Sequence, residues 1–342
     1  MRKMVFIIVM FLCLLCTASV LAQQEVNYNM YRYHLNLINP AVTGTQGAAY
    51  ANFSLRTQWV GIADAPETQA FSAGTPNKRQ RLGTGFSVIN DKTFVENQTQ
   101  LFADFSYRLP LDDERDLYLG LKAGGTSIRL HADRLQTYGS TLPDQFLTSQ
   151  SSFVPNIGVG LYYKSPTYFV SLSIPRLLST ERFRYDDGQV SRATDRPHFF
   201  GTVGGRWALT SQWEFIPSVL FSYVSAAPFD YFLNASVAYK ATWDIGLQYT
   251  RGGGIGGATF FRLNNGTKVG YAYVTSAIDQ VSRFSKGTHE LVVKFKLGNF
   301  PTFEKETSIE EDTETVYTPL LLHQIYTSKA SNLALDTNSI AE

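Results

Sequence analysis

Cysteine is almost missing from this chain of 342 residues: Cys13 and Cys16 are the only two, both close to the N-terminus. If that segment is removed on export, the remaining chain has no disulfide, no thiolate metal site and no thiol nucleophile. Charge is sparse as well, at 17% of residues with a net of +1, and no basic stripe points to nucleic acid. Beyond the N-terminal segment no run approaches the roughly 18 apolar residues of a membrane-crossing helix. The five histidines, His34, His131, His198, His289 and His323, lack the spacing of a metal site, so no metal or cofactor is expected. Gly252 to Gly257 is glycine-rich, but no Gly-Lys-Ser/Thr follows and no helical period starts there. It reads as a flexible surface loop. Serine, histidine and aspartate residues are present without any spacing that assembles a nucleophile, a base and oxyanion donors, so no enzyme activity is expected.

What the chain does have is alternation. From Trp213 the odd positions run Trp213, Phe215, Pro217, Val219, Phe221, Tyr223, with Glu214, Ser218 and Ser222 between them. The pattern returns as Tyr231, Leu233, Ala235, Val237, Tyr239, and again as Trp243, Ile245, Leu247, Tyr249. A period of two marks strands with one apolar and one polar face. Runs of about 9–11 residues suit a tilted strand crossing a bilayer, whereas the strands of a soluble sandwich, which also alternate, are usually about 5–6. Aromatics, 14% of the chain, fall at the ends of the apolar rows, as at the two rims of a membrane barrel.

Such runs recur about fourteen times, from 48–57 to 287–298, and an even number is what a bacterial single-chain barrel requires. Short polar connections near 165–167, 209–211, 240–242 and 264–266 alternate with longer ones at 57–66, 129–151, 176–198 and 276–286. Periplasmic turns and surface loops alternate in this way. The rows Leu101, Ala103, Phe105, Tyr107 and Leu291, Val293, Phe295, Leu297 carry no charge. Asp104, Arg108, Glu290, Lys294 and Lys296 have the opposite parity and are expected to face a polar interior. The fold class is all-β, a transmembrane antiparallel barrel over residues 48–298.

Three segments flank this barrel. Arg2 and Lys3 precede an apolar run to Cys16, and small residues end at Ala22, so residues 1–22 read as a signal peptide cleaved near Ala22. Residues 23–47 form a pre-barrel segment, with a short helix that Asn39-Pro40 would end, and a possible lumen plug. Residues 299–342, with eight acidic and two basic residues, read as an acidic, disordered periplasmic tail able to approach Lys78, Arg79 and Arg81.

Several short stretches then carry a resemblance. They are Leu37-Ile38-Asn39-Pro40-Ala41 with Gly44, then Arg56-Thr57-Gln58-Trp59 with Pro66 and Thr68, then Gly83, Gly85 and Asn90-Asp91. Thr288-His289-Glu290 opens the last strand. Their order and spacing over residues 28–298 resemble the PorP/SprF family of outer-membrane proteins. The resemblance implies a non-enzymatic component of type IX secretion and gliding in the Bacteroidetes. Its partners would be outer-membrane lipid, a secreted adhesin or other type IX cargo, and periplasmic secretion or gliding proteins. It marks Asn39, Pro40, Ala41, Gly44, Arg56, Gln58, Trp59, Pro66, Thr68, Asp91, His289 and Glu290 as family-motif or partner-binding positions. Within this set, Arg56 and Asp91 are expected to form a lumen ion pair, and His289 and Glu290 a lumen hydrogen bond. Trp59 reads as a contact anchor or a rim aromatic, and Trp207, Trp213 and Trp243 as rim residues. A small-solute channel and a barrel hydrolase are the alternatives left open.

Overall fold

The computed structural model describes residues 29–77, 81–131, 150–181, 194–225, 227–251, 254–263, 266–275 and 283–298. The signal-peptide and tail expectations, with Lys78 and Arg79, lie outside the described residues. Strands β1 (Tyr50–Thr57), β2 (Glu67–Pro76), β3 (Leu82–Thr93), β4 (Glu96–Pro110), β5 (Asp116–Leu130), β6 (Gln150–Lys164) and β7 (Tyr168–Ile174) pair as consecutive antiparallel hairpins. Two short strands, β8 (Thr180–Glu181) and β9 (Thr194–Asp195), pair with each other in a separate sheet. The wall resumes with β10 (His198–Gly205) and its continuation β11 (Trp207–Ala208). It is completed by β12 (Trp213–Val224), β13 (Asp230–Tyr239), β14 (Trp243–Thr250), β15 (Gly254–Arg262), β16 (Lys268–Val274) and β17 (Thr288–Lys296).

Strands β10 and β11 meet β12 in one register, Gly204 opposite Ser218 and Trp207 opposite Phe215, so they form a single stave interrupted at Arg206. The described wall therefore has fourteen staves, closed where β1 pairs with β17 along its whole length, from Tyr50↔Lys296 to Thr57↔His289. A single closed sheet removes every strand edge, which bare hydrocarbon demands because it cannot satisfy an unpaired amide. It also rules out the two-layer sandwich.

The two faces separate by parity as the sequence predicts. Leu101, Phe105, Leu121, Leu172, Leu233, Leu247 and Leu291 are exposed, whereas Asp104, Ser106, Lys122, Ser171, Asn234, Gln248 and Glu290 are buried. An apolar outer band of this extent belongs in a bilayer. Lys294 lies over the ring of buried Tyr50, at 5.3 Å, and so faces inward too.

One end of the barrel carries the shorter connections, 77–81, 111–115, 165–167, 209–212, 240–242 and 263–267. This is the turn end, which barrel topology assigns to the periplasm. At 240–242 the tight hairpin holds Lys240 and Ala241 at φ of 48° and 52°, the left-handed geometry that matches strand twist. At 111–115 the Asp112 side chain accepts from the amides of Glu114 and Arg115, at 3.0 and 2.7 Å. The Arg115 guanidinium bonded to it holds the Asp112 carboxyl below the usual carboxylate range. The opposite, loop end includes 58–66, 131–149, 175–197 and 275–287, with short connections at 94–95 and 225–229. Aromatic pairs ring both ends: Trp213–Tyr239 and Trp243–Phe261 at the turns, Phe199–Tyr223 and Tyr231–Tyr249 towards the loops.

One expectation of the wall needs correction. The glycine run is not all loop, because Gly254, Ile255, Gly256 and Gly257 lie in β15 opposite Thr250, Tyr249, Gln248 and Leu247. A side chain at Gly256 would place its Cβ 2.2 Å from the Tyr273 carbonyl, so close strand approach explains a glycine there.

Candidate functional site

The interior is not simply polar. Ile89, Tyr118, Tyr162, Phe200, Leu220 and Phe232 face inward and pack on Tyr31, Leu35, Leu37, Ile38 and Val42 of the pre-barrel segment. The segment thus carries its own hydrophobic core into the lumen. Its backbone is compact: a 3-10 turn Tyr31–Tyr33, a short helix α1 (Leu35–Ile38), and a second 3-10 turn Pro40–Val42. Helix α1 ends because Asn39 precedes proline and takes an extended conformation, φ −129° and ψ 111°. The freed Asn39 side chain caps the next turn by accepting from the Ala41 amide at 2.9 Å.

Asn39 also ties the segment to the wall. Its Nδ2 donates to Ser171 Oγ at 2.7 Å and to the Leu161 carbonyl at 2.9 Å, bridging β7 and β6. Glycines on the inner wall make the berth. A Cβ on Gly160 would lie 1.9 Å from Asn39 Oδ1, one on Gly120 2.1 Å from the Ala41 amide nitrogen, and one on Gly83 2.1 Å from the Thr43 carbonyl. Gly44 turns the chain away at φ +77°, against Gly83 and Pro76.

From there towards the N-terminus the segment runs along the lumen. Tyr33 stacks on Phe260 at 3.4 Å and donates to Asp244 Oδ2 at 2.6 Å, and Arg32 reaches the same carboxylate at 3.3 Å. Tyr31 donates to Ser218 Oγ at 3.0 Å. At the end of the described path, Asn29 is held from two sides. Its amide donates to Glu290 at 2.8 Å, and its carbonyl accepts from Gln248 at 2.8 Å. Ala49 pairs with Leu297 near the turn end, whereas Gln248 and Glu290 stand nearer the loop end, so the chain traverses much of the barrel.

Eleven of the twelve motif positions fall in three places, and His289 lies apart on the outer face. Asn39, Pro40, Ala41 and Gly44 form the berthed turn. Arg56, Thr68, Asp91 and Glu290 meet on neighbouring strands at the loop-end half of the lumen, with Arg56 opposite both Glu290 and Thr68, and Thr68 opposite Asp91. Gln58, Trp59 and Pro66 belong to the loop 58–66 above them, where the Gln58 amide donates to the Pro66 carbonyl at 2.9 Å.

Arg56 and Asp91 share one inward cluster with Thr68 between them, whereas the expected pairing of His289 with Glu290 is not formed. The Thr68 hydroxyl donates to Asp91 at 2.6 Å, while Arg56 donates to Gln58 Oε1 at 3.0 Å. His289 turns away from Glu290, because successive strand residues face opposite sides. Its Nδ1 meets the Tyr271 hydroxyl at 2.5 Å on the outer face. The motifs also miss the buried ion pair of Lys122 with Asp104, at 2.8 Å, and the Arg32–Asp244 contact. Inward parity together with the hairpin centred on 111–115 is the signal that finds the first. No grouping of histidine, cysteine, aspartate or glutamate among the described residues could hold a metal ion.

Comparison with known proteins adds to this geometry. Residues 20–295 match the family described as type IX secretion system membrane protein PorP/SprF. The chain belongs to the PorP/SprF family. It is therefore an outer-membrane barrel of the type IX secretion system. No curated protein matches it. Among solved structures it is similar in fold to the Ralstonia pickettii toluene transporter TbuX, at 9% identity over 76% of this chain and 92% of that one, TM-score 0.45. It is similar too to the Acinetobacter baumannii outer membrane protein Omp33, at 11% identity over 74% and 100%, TM-score 0.41. The CymD monoaromatic hydrocarbon channel gives 12% identity over 78% and 93%, TM-score 0.43. At these identities the likeness concerns the barrel alone.

Proposed function

We propose that this PorP/SprF barrel serves type IX secretion as a binding component, holding an exported cargo protein such as a surface adhesin at its loop end. Contact with periplasmic secretion or gliding proteins at the turn end completes this reading, with residues 1–22 removed on export. The observation that carries it is the lumen, filled by the chain's own residues 29–47 with a buried apolar cluster and several wall hydrogen bonds. A barrel so filled offers a partner its surface, not a passage.

The loop end supplies a built surface. The loop 58–66 is paired to the segment before β17, with Val60 N–H donating to the Gly287 carbonyl at 3.0 Å and Lys286 N–H to the Val60 carbonyl at 2.7 Å. On its other side Phe94 N–H donates to the Asp64 carbonyl at 3.3 Å. Trp59, Asp64 and Phe94 hold φ of 52°, 54° and 52°, a region that costs non-glycine residues about 1–3 kcal/mol each. Strain concentrated in one ordered platform is characteristic of binding sites. Phe284 and Phe94 project from it, 74% and 51% exposed, as apolar anchors for a partner.

The test replaces both anchors, Phe94→Asp with Phe284→Asp, in the native host. Loss of cargo from the cell surface, with normal barrel abundance in the outer membrane, is the expected result. Unchanged cargo display together with rapid flux of small sugars through liposomes carrying the purified wild-type barrel would favour a channel instead.

A further inference from the structure

On the outer face an apolar groove of about 670 Å³ crosses the staves from β5 to β12. Leu161, Leu172, Gly201 and Phe221 lie side by side in the register, and Gly201 leaves a gap in this row. Tyr223 and Phe229 close the groove towards the loop end. The space lies on the membrane side, because behind it Gly120 and Gly160 are filled from within by Ala41 and Asn39.

The wall bends beside the groove. Ile174 pairs with Val159, but Leu177 already donates to the Ile157 carbonyl at 2.8 Å, so three steps on one strand match two on the other. That is a bulge at Pro175 and Arg176, and bulges redirect a barrel wall near its rim. Above the groove two guanidinium groups are tied to the connection that borders it. Arg196 donates to the Ser225 carbonyl at 2.8 Å, and Arg251 donates to the Phe229 carbonyl.

We propose that this groove is a lipid site, taking one acyl chain of a phosphorylated outer-leaflet lipid with its phosphate at Arg196 and Arg251. Two features select that occupant. The groove is continuous with the band that faces the acyl chains, and Arg196 and Arg251 stand at its loop-end rim, where the headgroups of the outer leaflet lie. Arginine suits phosphate oxygens through its planar fork of donors.

The full-length protein in lipid nanodiscs is photolabelled with phosphatidylglycerol bearing a diazirine in its acyl chain, and the labelled peptides are mapped by mass spectrometry. Labels are expected to concentrate around Leu172 and Phe221. Gly201→Leu, which fills the gap, should reduce them about tenfold, the loss of contact with about two buried methylenes. Gly201→Ala should leave them, since its Cβ would meet nothing closer than 3.5 Å. Arg196→Gln with Arg251→Gln should reduce labelling by this probe but not by a diacylglycerol that carries the same diazirine and has no phosphate. Competition by added lipid A against added phosphatidylglycerol then tells which headgroup is preferred. Labels spread evenly around the barrel, labels unaffected by Gly201→Leu in a variant with normal heat-modifiable migration, or a co-purified polypeptide shielding the groove would overturn the proposal.

Discussion

The backbone amide of Asn29 donates to the carboxylate of Glu290 at 2.8 Å, joining positions 261 residues apart inside the closed barrel. Glu290 is fully buried, and Gln248 holds the same residue of the segment by its carbonyl. A hydrogen bond of this kind contributes about 0.5–3 kcal/mol. Glu290→Gln should therefore raise hydrogen exchange at residues 29–33 by an amount of that order, while the strands keep their protection. Exchange at Asn29 that matched the wild type would show that the carboxylate does not hold the segment.

The glycine berth makes a second expectation. A leucine at Gly160 must displace Asn39, whose Oδ1 would lie 1.9 Å from the new Cβ. With Asn39 expelled, its bonds to Ser171 and Leu161 are lost together. Gly160→Leu should still fold as a heat-modifiable barrel yet admit small sugars in a liposome-swelling assay that wild type resists. Equal swelling rates for the two proteins would separate the segment from any sealing role.

The Lys122–Asp104 pair, only 2% and 1% exposed, sets a third. Removing one partner of a buried pair leaves an uncompensated charge and costs about 3–5 kcal/mol, whereas replacing both with apolar residues is often close to neutral. Lys122→Met should lower stability by that amount in urea titrations of the barrel in lipid vesicles, and adding Asp104→Leu should restore most of it. A double variant as unstable as the single would mean the cost comes from lost packing against Phe102, over whose ring Lys122 lies at 5.3 Å.

The outer band gives a fourth. Leu247, 71% exposed in the middle of β14, faces the acyl chains, and Leu263 sits at the turn end. Arginine at a barrel's midplane costs about 2–4 kcal/mol and at its interfaces about 0–1. Leu247→Arg should lose stability accordingly, with Leu263→Arg nearly silent. Similar losses at both positions would contradict the depth assignment.

Much of this wall is written in the sequence as hydropathy of period two. The rows from Trp213, Tyr231 and Trp243 place β12, β13 and β14 to within a residue or two of their observed ends. The same rule fails where side chains vanish: Gly254, Gly256 and Gly257 carry no hydropathy, so the first turn of β15 reads as loop. It also hides contacts that span three staves. Arg56 and Asp91 share a face, but which residue stands between them depends on the register of β1 and β2, set by a nine-residue loop. The lumen core escapes for another reason. Ile89, Phe200, Leu220 and Phe232 are apolar residues on the inward parity, and only the folded segment 29–47 explains what they cover.

The seam where β1 meets β17 has a consequence for how the molecule is made. Residues 29–47 precede β1, and the strands that shut the cylinder over them are the first and the last to leave the ribosome. A ring already zipped would bar a peptide that carries a helix and two tyrosines. Insertion must therefore hold the first and last staves apart until the leading residues have folded inside. Arg56 and Glu290, facing each other across that join, can come into register only in the final act of assembly.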